Sequence, residues 1–322
     1  ALERAGGRPI LGAAAAGAAI SVGLVVVTLP VAAVRHARAE DFGLSTQSWG
    51  PWAADLAKAA GIEAVLAAGG AAILIGLMRR FRQWWLPASG VVVVLSAVFL
   101  WLAPVVLEPA FNEFTPLPEG RLRSEVLDLA KRSGVEVGEV YRVDASRRTT
   151  GANAYVGGLG PTKRVVLYDN LIEGYSPAEV RSVVAHELSH VKHSDVPKGL
   201  LWVAIVAPPG LLLIQRLTER LAPGGERPGP AALPAAALAI ALVSFGLGVA
   251  GNASSRRVEA RADAYALRLT DDPAGFIALE QRLARSNLSD PDPPGVLVAL
   301  FGTHPPTIER IGFGLTYARE RR

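Results

Sequence analysis

The sequence predicts a mainly α-helical, polytopic membrane protein with about five transmembrane helices and an additional α+β part that contains a small β-sheet. Hydrophobic residues make up 50% of the 322 residues and cluster in five long apolar stretches. The mean hydropathy of +0.30 is high for a soluble domain of this size. A bilayer requires about 20 apolar residues per helix, so each stretch is a candidate crossing. Two polar blocks alternate with the stretches, and we expect them to form the α+β part.

The five apolar stretches differ in composition. The second is short and contains adjacent small residues, whereas the fourth contains Pro208 and Pro209, which predict a kink. The fifth is rich in alanine and glycine, which favours close helix packing. Trp84 and Trp85 follow three arginines, a pattern typical of an anchor at the membrane surface. In chain order the stretches are residues 10–34, 62–78, 89–107, 200–217 and 231–250.

The loop between the first two stretches, residues 42–60, contains two tryptophans and an amphipathic segment around Asp55 and Lys58. We expect it to lie on the membrane surface or to cover the functional site.

The net charge is +4, which in a membrane protein is typical of arginines that flank spans, so no nucleic-acid partner is expected. The chain has no cysteine, which excludes disulfides and thiolate metal sites.

The alternation of apolar and polar segments predicts four regions. Residues 1–107 form a membrane region of three spans, residues 108–198 a first polar block, residues 199–250 a two-span hairpin and residues 251–322 a second polar block. Two spans separate the polar blocks, so both blocks lie on the same side of the membrane. We therefore expect them to form one domain.

The first polar block has the pattern of a small α+β unit. A helix is predicted to begin at Pro118-Glu119-Gly120 and to end at Gly134. Alternating apolar residues then predict three short strands, 137–143, 152–156 and 164–168, with a glycine-rich turn at 157–161 between the last two. The second polar block has mostly helical periodicity.

A motif with clear chemistry, His186-Glu187-x-x-His190, lies in an apolar run predicted to be helical. Ser176 and Glu179 have the spacing of a capping box at the start of this helix. Residues i and i+4 share one helix face, so the two imidazoles can bind one zinc ion, and Glu187 can serve as general base toward a water. A short motif also occurs by chance. The capping box and the grouping of three of the five histidines within eight residues argue against chance here.

A catalytic zinc site needs a third protein ligand. Glu259 is the candidate, because Asp263 lies one helical turn later on the same face and can accept a hydrogen bond from a ligand histidine. Neighbouring arginines make a solvated charged helix face an equally good interpretation from spacing alone. His193 is a rival ligand, but its spacing places it off the shared face. We favour a supporting or surface role for it.

Several segments together resemble one known family. The sequence is similar to the integral-membrane zinc metalloproteases that contain the type I CaaX prenyl protease (Ste24-like), and more distantly to HtpX. Two features depart from that pattern: five predicted spans where the eukaryotic enzymes have seven, and Ser189 where glycine is usual. The segments that carry the resemblance are 111–120 (FNEFTPLPEG), 153–155 (NAY), 164–169 (RVVLYD), 186–190 (HELSH), 255–263 (SRRVEARAD) and 304–306 (HPP) with Glu309 and Arg310.

The resemblance implies a gluzincin-like fold for the α+β part and assigns roles to individual residues. It implies one Zn²⁺ per chain, general-base catalysis by one glutamate, and an edge strand that receives the substrate backbone. From the residues alone, we would interpret His304 and Arg310 as a helix-starting turn with an exposed arginine. The implied roles are zinc ligands for His186, His190 and Glu259; base for Glu187; support of a ligand for Asp263; substrate binding for Asn153, Ala154 and Tyr155; and oxyanion stabilisation for His304 and Arg310.

The resulting hypothesis is a membrane-embedded zinc metalloendopeptidase, with CaaX-type C-terminal processing as one form of its activity. Its partners would be the lipid bilayer and peptide or protein substrates, including membrane-associated or lipid-modified ones. An HtpX-like quality-control protease is one alternative, and a catalytically silent metal-binding scaffold is another. No particular substrate or oligomeric state is predicted.

The chain is predicted to be an integral protein of the bacterial plasma membrane. Arginines lie beside spans on both sides, and the positive-inside rule modestly favours a catalytic part outside the cytoplasm. Analogy with the eukaryotic enzymes favours the cytoplasmic side. We follow the analogy and expect catalysis on the cytoplasmic side.

Overall fold

The computed structural model describes residues 8–158, 163–222 and 229–321. Most of them are helical, which confirms the predicted fold class. A π-helical turn at Ala103–Leu107 follows the third helix, and short 3-10 turns occur at Ala145–Arg147 and Pro230–Ala232. The α-helices are α1 (Pro9–Asp41), α2 (Trp49–Arg80), α3 (Trp85–Leu102), α4 (Glu108–Phe111), α5 (Arg121–Ser133), α6 (Asp169–Gly174), α7 (Pro177–Lys192), α8 (Asp195–Leu221), α9 (Leu233–Thr270), α10 (Pro273–Ser286), α11 (Gly295–Phe301) and α12 (Thr307–Glu320).

Five of these helices are long and apolar enough to cross a membrane, as the sequence predicts: α1, α2, α3, α8 and α9. Only 11–28% of their most apolar windows is buried within the protein. Their side chains instead face outward, as is required of lipid-exposed spans. The helix α8 continues through Pro208 and Pro209. Of the loops named from the sequence, residues 159–162 of the glycine-rich turn lie outside the described residues.

The prediction of a loop at residues 42–60 was wrong over most of its length. The helix α2 begins at Trp49, so residues 49–60 form its first three turns. Alanines dominate this segment, and alanine has the highest helix propensity, which outweighs the polar residues Asp55 and Lys58. The remaining connection is residues 42–48, part of which hydrogen bonds to residues 146–150.

The chain divides into two compact units. One comprises Ala1–Ala39, Gln47–Ala97 and Leu200–Gly248, and the other comprises Glu40–Thr46, Val98–Gly199 and Val249–Arg322. The first is built from spans that approach closely at small residues. A Cβ added to Gly17 of α1 would lie 2.5 Å from the carbonyl oxygen of Ala67 in α2, so only glycine permits this approach.

The second unit contains a four-stranded sheet in the order β1-β2-β4-β3. The strands are β1 (Phe114–Pro116), β2 (Glu139–Val143), β3 (Ala154–Gly157) and β4 (Arg164–Tyr168). The central pair β2–β4 is parallel, and both outer pairs are antiparallel. The sequence predicted β2, β3 and β4 but not β1, whose proline and three-residue length give no alternating pattern. In the order β1-β2-β4-β3, strand β3 lies at an edge of the sheet.

One hydrophobic core positions α5 and α7 against this sheet. Val126 and Leu129 of α5 pack there with Val140, Val165 and Leu188 from the sheet and α7. The helix α5 ends at Gly134, whose φ of 69° is the left-handed conformation that favours glycine at a helix terminus. This core fixes α7, the helix that carries the His-Glu-x-x-His motif, beside the edge strand.

Candidate metal centre

The helix α7 is held at its start and along one face. The Ser176 side chain accepts a hydrogen bond from the Glu179 amide, and the Glu179 carboxylate accepts one from the Ser176 amide, so the predicted capping box is present. Val180, Val184 and Leu188 are buried in the core. Because these residues fix the rotation of the helix, the opposite face, with both motif histidines, has a defined direction.

The structure brings the two motif histidines and Glu259 together around one point. The Nε2 atoms of His186 and His190 are 3.3 Å apart, and the distance from His186 Nε2 to Glu259 Oε2 is 3.1 Å. Ligand atoms at about 2.0–2.1 Å from a tetrahedral zinc ion are about 3.3–3.4 Å apart. His190 Nε2 and Glu259 Oε1 are 3.9 Å apart. These donor atoms therefore have the chemistry and nearly the spacing of a zinc site.

Glu259 reaches this point because α9 does not end with its apolar stretch. The helix continues from Leu233 to Thr270 without interruption. Glu259 is 8% exposed and Asp263, one turn later, is fully buried. The alternative of a solvated charged face is therefore wrong for these two residues. His193 is directed elsewhere: its Nδ1 lies 2.9 Å from the carbonyl oxygen of Ser189, and its ring packs edge-on against Tyr265.

Glu187 lies beside the two motif histidines. One carboxylate oxygen of Glu187 and one ring nitrogen each of His186 and His190 all lie within 4.8 Å of one another. Burial raises the pKa of the Glu187 carboxyl above its usual value. A raised pKa suits a group that must accept and then release a proton near neutral pH. Glu187 also lines a cavity of about 130 Å³ that is shared with Asn153, Ser182, His186, Glu280, His304 and Arg310.

Arg310 makes a paired contact with carboxylates at the edge of this cavity. Its Nε and Nη2 donate to Asp263 over 2.8 and 2.6 Å, and its Nη1 lies 2.7 Å from Glu280 Oε2. Burial opposes the charge of Arg310, but these contacts raise its pKa above the usual value. Burial likewise raises the pKa of Glu280 to about 7. Arg310 thus holds Asp263, and its predicted contact with an oxyanion stays a prediction.

His304 approaches the same point from the loop between α11 and α12. Its Nε2 lies 3.2 Å from Glu259 Oε2, and 55% of its side chain is exposed. The contact with Glu259 shows that His304 faces the site, as predicted, rather than forming only a helix-starting turn. Exposure leaves part of the ring accessible to a substrate. Its role in stabilising an oxyanion stays a prediction.

Strand β3 passes the same cavity with one unpaired edge. Asn153 and Ala152, which precede β3, line the cavity. The Asn153 carbonyl accepts from the Tyr168 amide, and its side chain accepts from the Ala154 amide. Since hydrogen bonding alternates along an antiparallel pair, Ala154 and Val156 direct their backbone groups to the free edge. The Tyr155 hydroxyl instead donates to Glu108 over 2.5 Å.

The sequence matches two protein families. Residues 116–313 match the family described as Peptidase family M48. Residues 3–113 match a family described as CAAX prenyl protease N-terminal, five membrane helices. The chain belongs to peptidase family M48. It is therefore a membrane metalloprotease, as predicted from the motif and the spans.

Relatives of this chain occur in bacteria and eukaryotes. A Bacillus subtilis (strain 168) protein called uncharacterized metalloprotease YhfN is 33% identical over 91% of this chain and 70% of its own length. A CAAX prenyl protease 1 homolog of Arabidopsis thaliana is 33% identical over 68% of this chain. The chain spans only about half of that plant relative, 53% of its length.

A solved structure shares the fold. The crystal structure of S. mikatae Ste24p superimposes with a TM-score of 0.81 and covers 92% of this chain and 73% of that protein. The two sequences are 22% identical, so the likeness concerns the fold. It agrees with the predicted combination of membrane helices and an α+β part with a small β-sheet.

The structure adds two residues to the site that the sequence did not predict, Glu280, described above, and Asp195. Asp195, at the start of α8, lies with its Oδ2 3.0 Å from His190 Nδ1. Asp263 Oδ1 lies 2.9 Å from Nδ1 of His186. Each motif histidine therefore has its own carboxylate on the ring nitrogen that faces away from Glu259. Arg261 in turn contacts Asp195. The only signal in the sequence is an aspartate five residues after His190.

We expect Asp195→Asn to weaken metal binding about 10–100-fold, because a carboxylate on the far ring nitrogen orients a ligand histidine and raises its basicity. Competition with a chromophoric chelator measures this affinity. The matched control is Asp128→Asn, since the Asp128 side chain is 62% exposed on α5. Equal affinities for the Asp195 variant and the unmodified protein would contradict a role for Asp195.

Proposed function

We propose that the chain binds one Zn²⁺ through His186, His190 and Glu259 and uses it to hydrolyse peptide bonds, with Glu187 as the general base. The observation that carries the proposal is the convergence of two Nε2 atoms and one carboxylate, with each histidine held by a further carboxylate. Two histidines and one glutamate are a ligand set that leaves zinc open for catalysis. A silent scaffold would not require Glu187 in the same cavity.

In this mechanism zinc would supply polarisation of the scissile carbonyl and acidification of a water. Glu187 removes a proton from the attacking water as the new C–O bond forms, and delivers it to the leaving amine as the C–N bond breaks. His304 donates to the oxygen that becomes negative in the tetrahedral transition state. Arg310 keeps Asp263 oriented and thereby fixes the ring of His186.

The substrate backbone is proposed to extend the sheet at β3. Ala154 and Val156 direct backbone groups to the free edge beside the cavity that Glu187 and His304 line. An extended peptide paired there would form regular main-chain hydrogen bonds next to the base. Asn153 would contact the substrate at the end of the strand nearest the cavity. Tyr155 would act through its contact with Glu108, which braces the strand.

We expect Val156→Pro to lower kcat/KM about fivefold, mainly through KM, because it removes one outward amide worth ~1 kcal/mol as a hydrogen-bond donor. Proline is tolerated on an edge strand when the lost N–H faces outward, so the ladder with β4 persists. Val156→Ala keeps the amide and is the control. Steady-state cleavage of a fluorogenic peptide measures both constants. Equal KM values for the two variants would contradict pairing at this edge.

The natural substrates are proposed to be membrane-associated or lipid-modified peptides and proteins cleaved near a terminus. The support is the integral-membrane architecture together with several eukaryotic relatives whose names include CAAX prenyl protease. Paired peptides that differ only in a C-terminal isoprenyl group test this directly. Faster cleavage of the prenylated peptide supports CaaX-type processing. Equal cleavage of many unrelated membrane proteins would instead indicate quality control.

We propose further that residues 1–107 and 199–250 are the membrane regions, and that residues 108–198 and 251–322 together form the catalytic part. The chain is an integral membrane protein. Its proposed membrane is the bacterial plasma membrane, with the catalytic part in the cytoplasm. The chain lacks cysteine, so a cysteine introduced at Glu119 would report sidedness by its labelling in intact cells. Protection from an impermeant thiol reagent supports the cytoplasmic side, and labelling contradicts it.

A further inference from the structure

The helix α11 belongs to the second compact unit, which carries the proposed zinc site and is hereafter the catalytic unit. Its composition and environment are unusual for a part of that unit. All seven of its residues, Gly295–Phe301, are apolar, and none is buried. Val296 is 64% exposed, Leu297 48% and Phe301 63%. A helix in water normally buries an apolar face against the protein. Val296 and Leu297 instead face outward and form part of an exposed apolar surface, which in soluble proteins marks a contact with another molecule or with lipid.

The attachment of α11 places it beside the end of the fifth span. Asn252 of α9 donates to the carbonyl of Leu300 over 2.8 Å. Arg256, also of α9, donates to the carbonyls of Val298 and Gly302 over 2.9 and 2.6 Å. The apolar stretch of this helix ends near Ala250. At 1.5 Å per residue, the two donors lie only about 3 and 9 Å beyond it along the axis.

These distances correspond to the membrane surface. The hydrocarbon core of a bilayer is about 30 Å thick and the whole bilayer about 40–45 Å, so each headgroup layer is about 5–8 Å deep. Asn252 and Arg256 therefore lie in or next to that layer when the span crosses the membrane. The Asn252 amide satisfies the carbonyl of Leu300, one of the last four residues of α11, whose carbonyls have no amide partner within the helix. Arg256 adds a second donor to the Val298 carbonyl, which also accepts from the Gly302 amide, and satisfies the Gly302 carbonyl just after the helix. These three satisfied carbonyls do not require water, so this part of the helix end tolerates apolar surroundings.

We propose that α11 inserts into the lipid headgroup region and anchors the catalytic unit to the bilayer surface. The molecule that covers the apolar surface of α11 is lipid, because this surface is joined to the end of a membrane span, α9, through the contacts of Asn252 and Arg256. Interfacial helices bury such an apolar face at the boundary of headgroups and acyl chains. Two residues separate Phe301 from His304, whose ring contacts Glu259. Lipid contact at α11 thus holds the His304 side of the site near the membrane surface.

Single-cysteine labelling tests this proposal without reference to catalysis, because the natural chain has no cysteine. Leu297→Cys and Phe301→Cys, each in the full chain, are labelled with a nitrobenzoxadiazole dye and reconstituted into vesicles of phosphatidylcholine and phosphatidylglycerol. Quenching is measured with aqueous iodide and with nitroxide-labelled lipid. Asp290→Cys, on the exposed polar loop before α11, is the aqueous control. Val27→Cys, 76% exposed on α1, is the lipid control.

The proposal predicts that nitroxide lipid quenches both α11 labels at least twofold, as for the Val27 label, and that iodide quenches them at least twofold less than the Asp290 label. Strong iodide quenching without lipid quenching would show a water-exposed helix and overturn the proposal. Protection from both quenchers would show a protein contact, including one with a second copy, and would also overturn it. Neither result depends on zinc or on cleavage, so neither bears on the proposed protease activity.

Discussion

Replacing Glu187 by glutamine should lower the rate of peptide cleavage by about 10²–10⁴ while the protein retains its zinc, because a positioned base contributes that much to proton transfer. The amide has nearly the size of the carboxylate but cannot accept the proton of the attacking water. Glu187 lies on the same helix as His186 and His190, and both rings are held by other carboxylates. The substitution therefore leaves the ligand geometry in place. Turnover of a fluorogenic peptide and the zinc content of the same sample are measured together.

The matched control is Glu119→Gln, which makes the same chemical change at an exposed residue of the same unit. It should leave both turnover and zinc content unchanged. Turnover by the Glu187 variant equal to that of the unmodified protein would remove Glu187 from the mechanism. Loss of zinc together with activity would show that Glu187 is a ligand, and that the base lies elsewhere.

Replacing Glu259 by glutamine should remove zinc from the dialysed protein and abolish cleavage with it. Glu259 is the only anionic member of the proposed ligand set, and its carboxylate lies 3.1 Å from His186 Nε2. Losing a direct ligand must cost more than the ~10–100-fold in affinity expected from a supporting partner. Elemental analysis after dialysis measures the loss, and circular dichroism checks that the helices persist.

Glu309→Gln is a suitable control for this second prediction, because Glu309 is exposed on α12 and belongs to the same unit. It should bind zinc as the unmodified protein does. Full zinc occupancy in the Glu259 variant would contradict the proposed ligand set. In that case the aspartates next to the two histidines, Asp195 and Asp263, would become the candidates.

Local patterns in the sequence predicted the parts of the site that one helix determines. The i, i+4 spacing of His186 and His190 and the capping box at Ser176 are properties of a single helix, and both are found as expected. The pair of Glu259 and Asp263 was identified for the same reason. Its burial, which separates a site from a solvated face, depends on the packing of α9 and has no local pattern.

The residues that the sequence missed are those contributed by tertiary packing. Asp195 belongs to the site because α8 begins beside His190. Glu280 belongs to it because α10 packs against α7 and α12. Neither position has a spacing that relates it to the motif. The same limit applies to β1, which is recognisable only through its pairing with β2. The wrong prediction of a loop at residues 49–60 has a different origin. The helix propensity of the alanines there outweighs the polar residues on which the loop prediction rested.

The most direct test of the proposed metalloprotease is metal removal from the purified protein in detergent. Bound metal is determined by mass spectrometry, and peptide cleavage is measured before chelation, after chelation and after zinc is returned. We expect about one zinc per chain, loss of cleavage with the metal, and recovery of cleavage with zinc. Undiminished cleavage by metal-free protein would contradict the assignment of His186, His190 and Glu259 as the centre of catalysis.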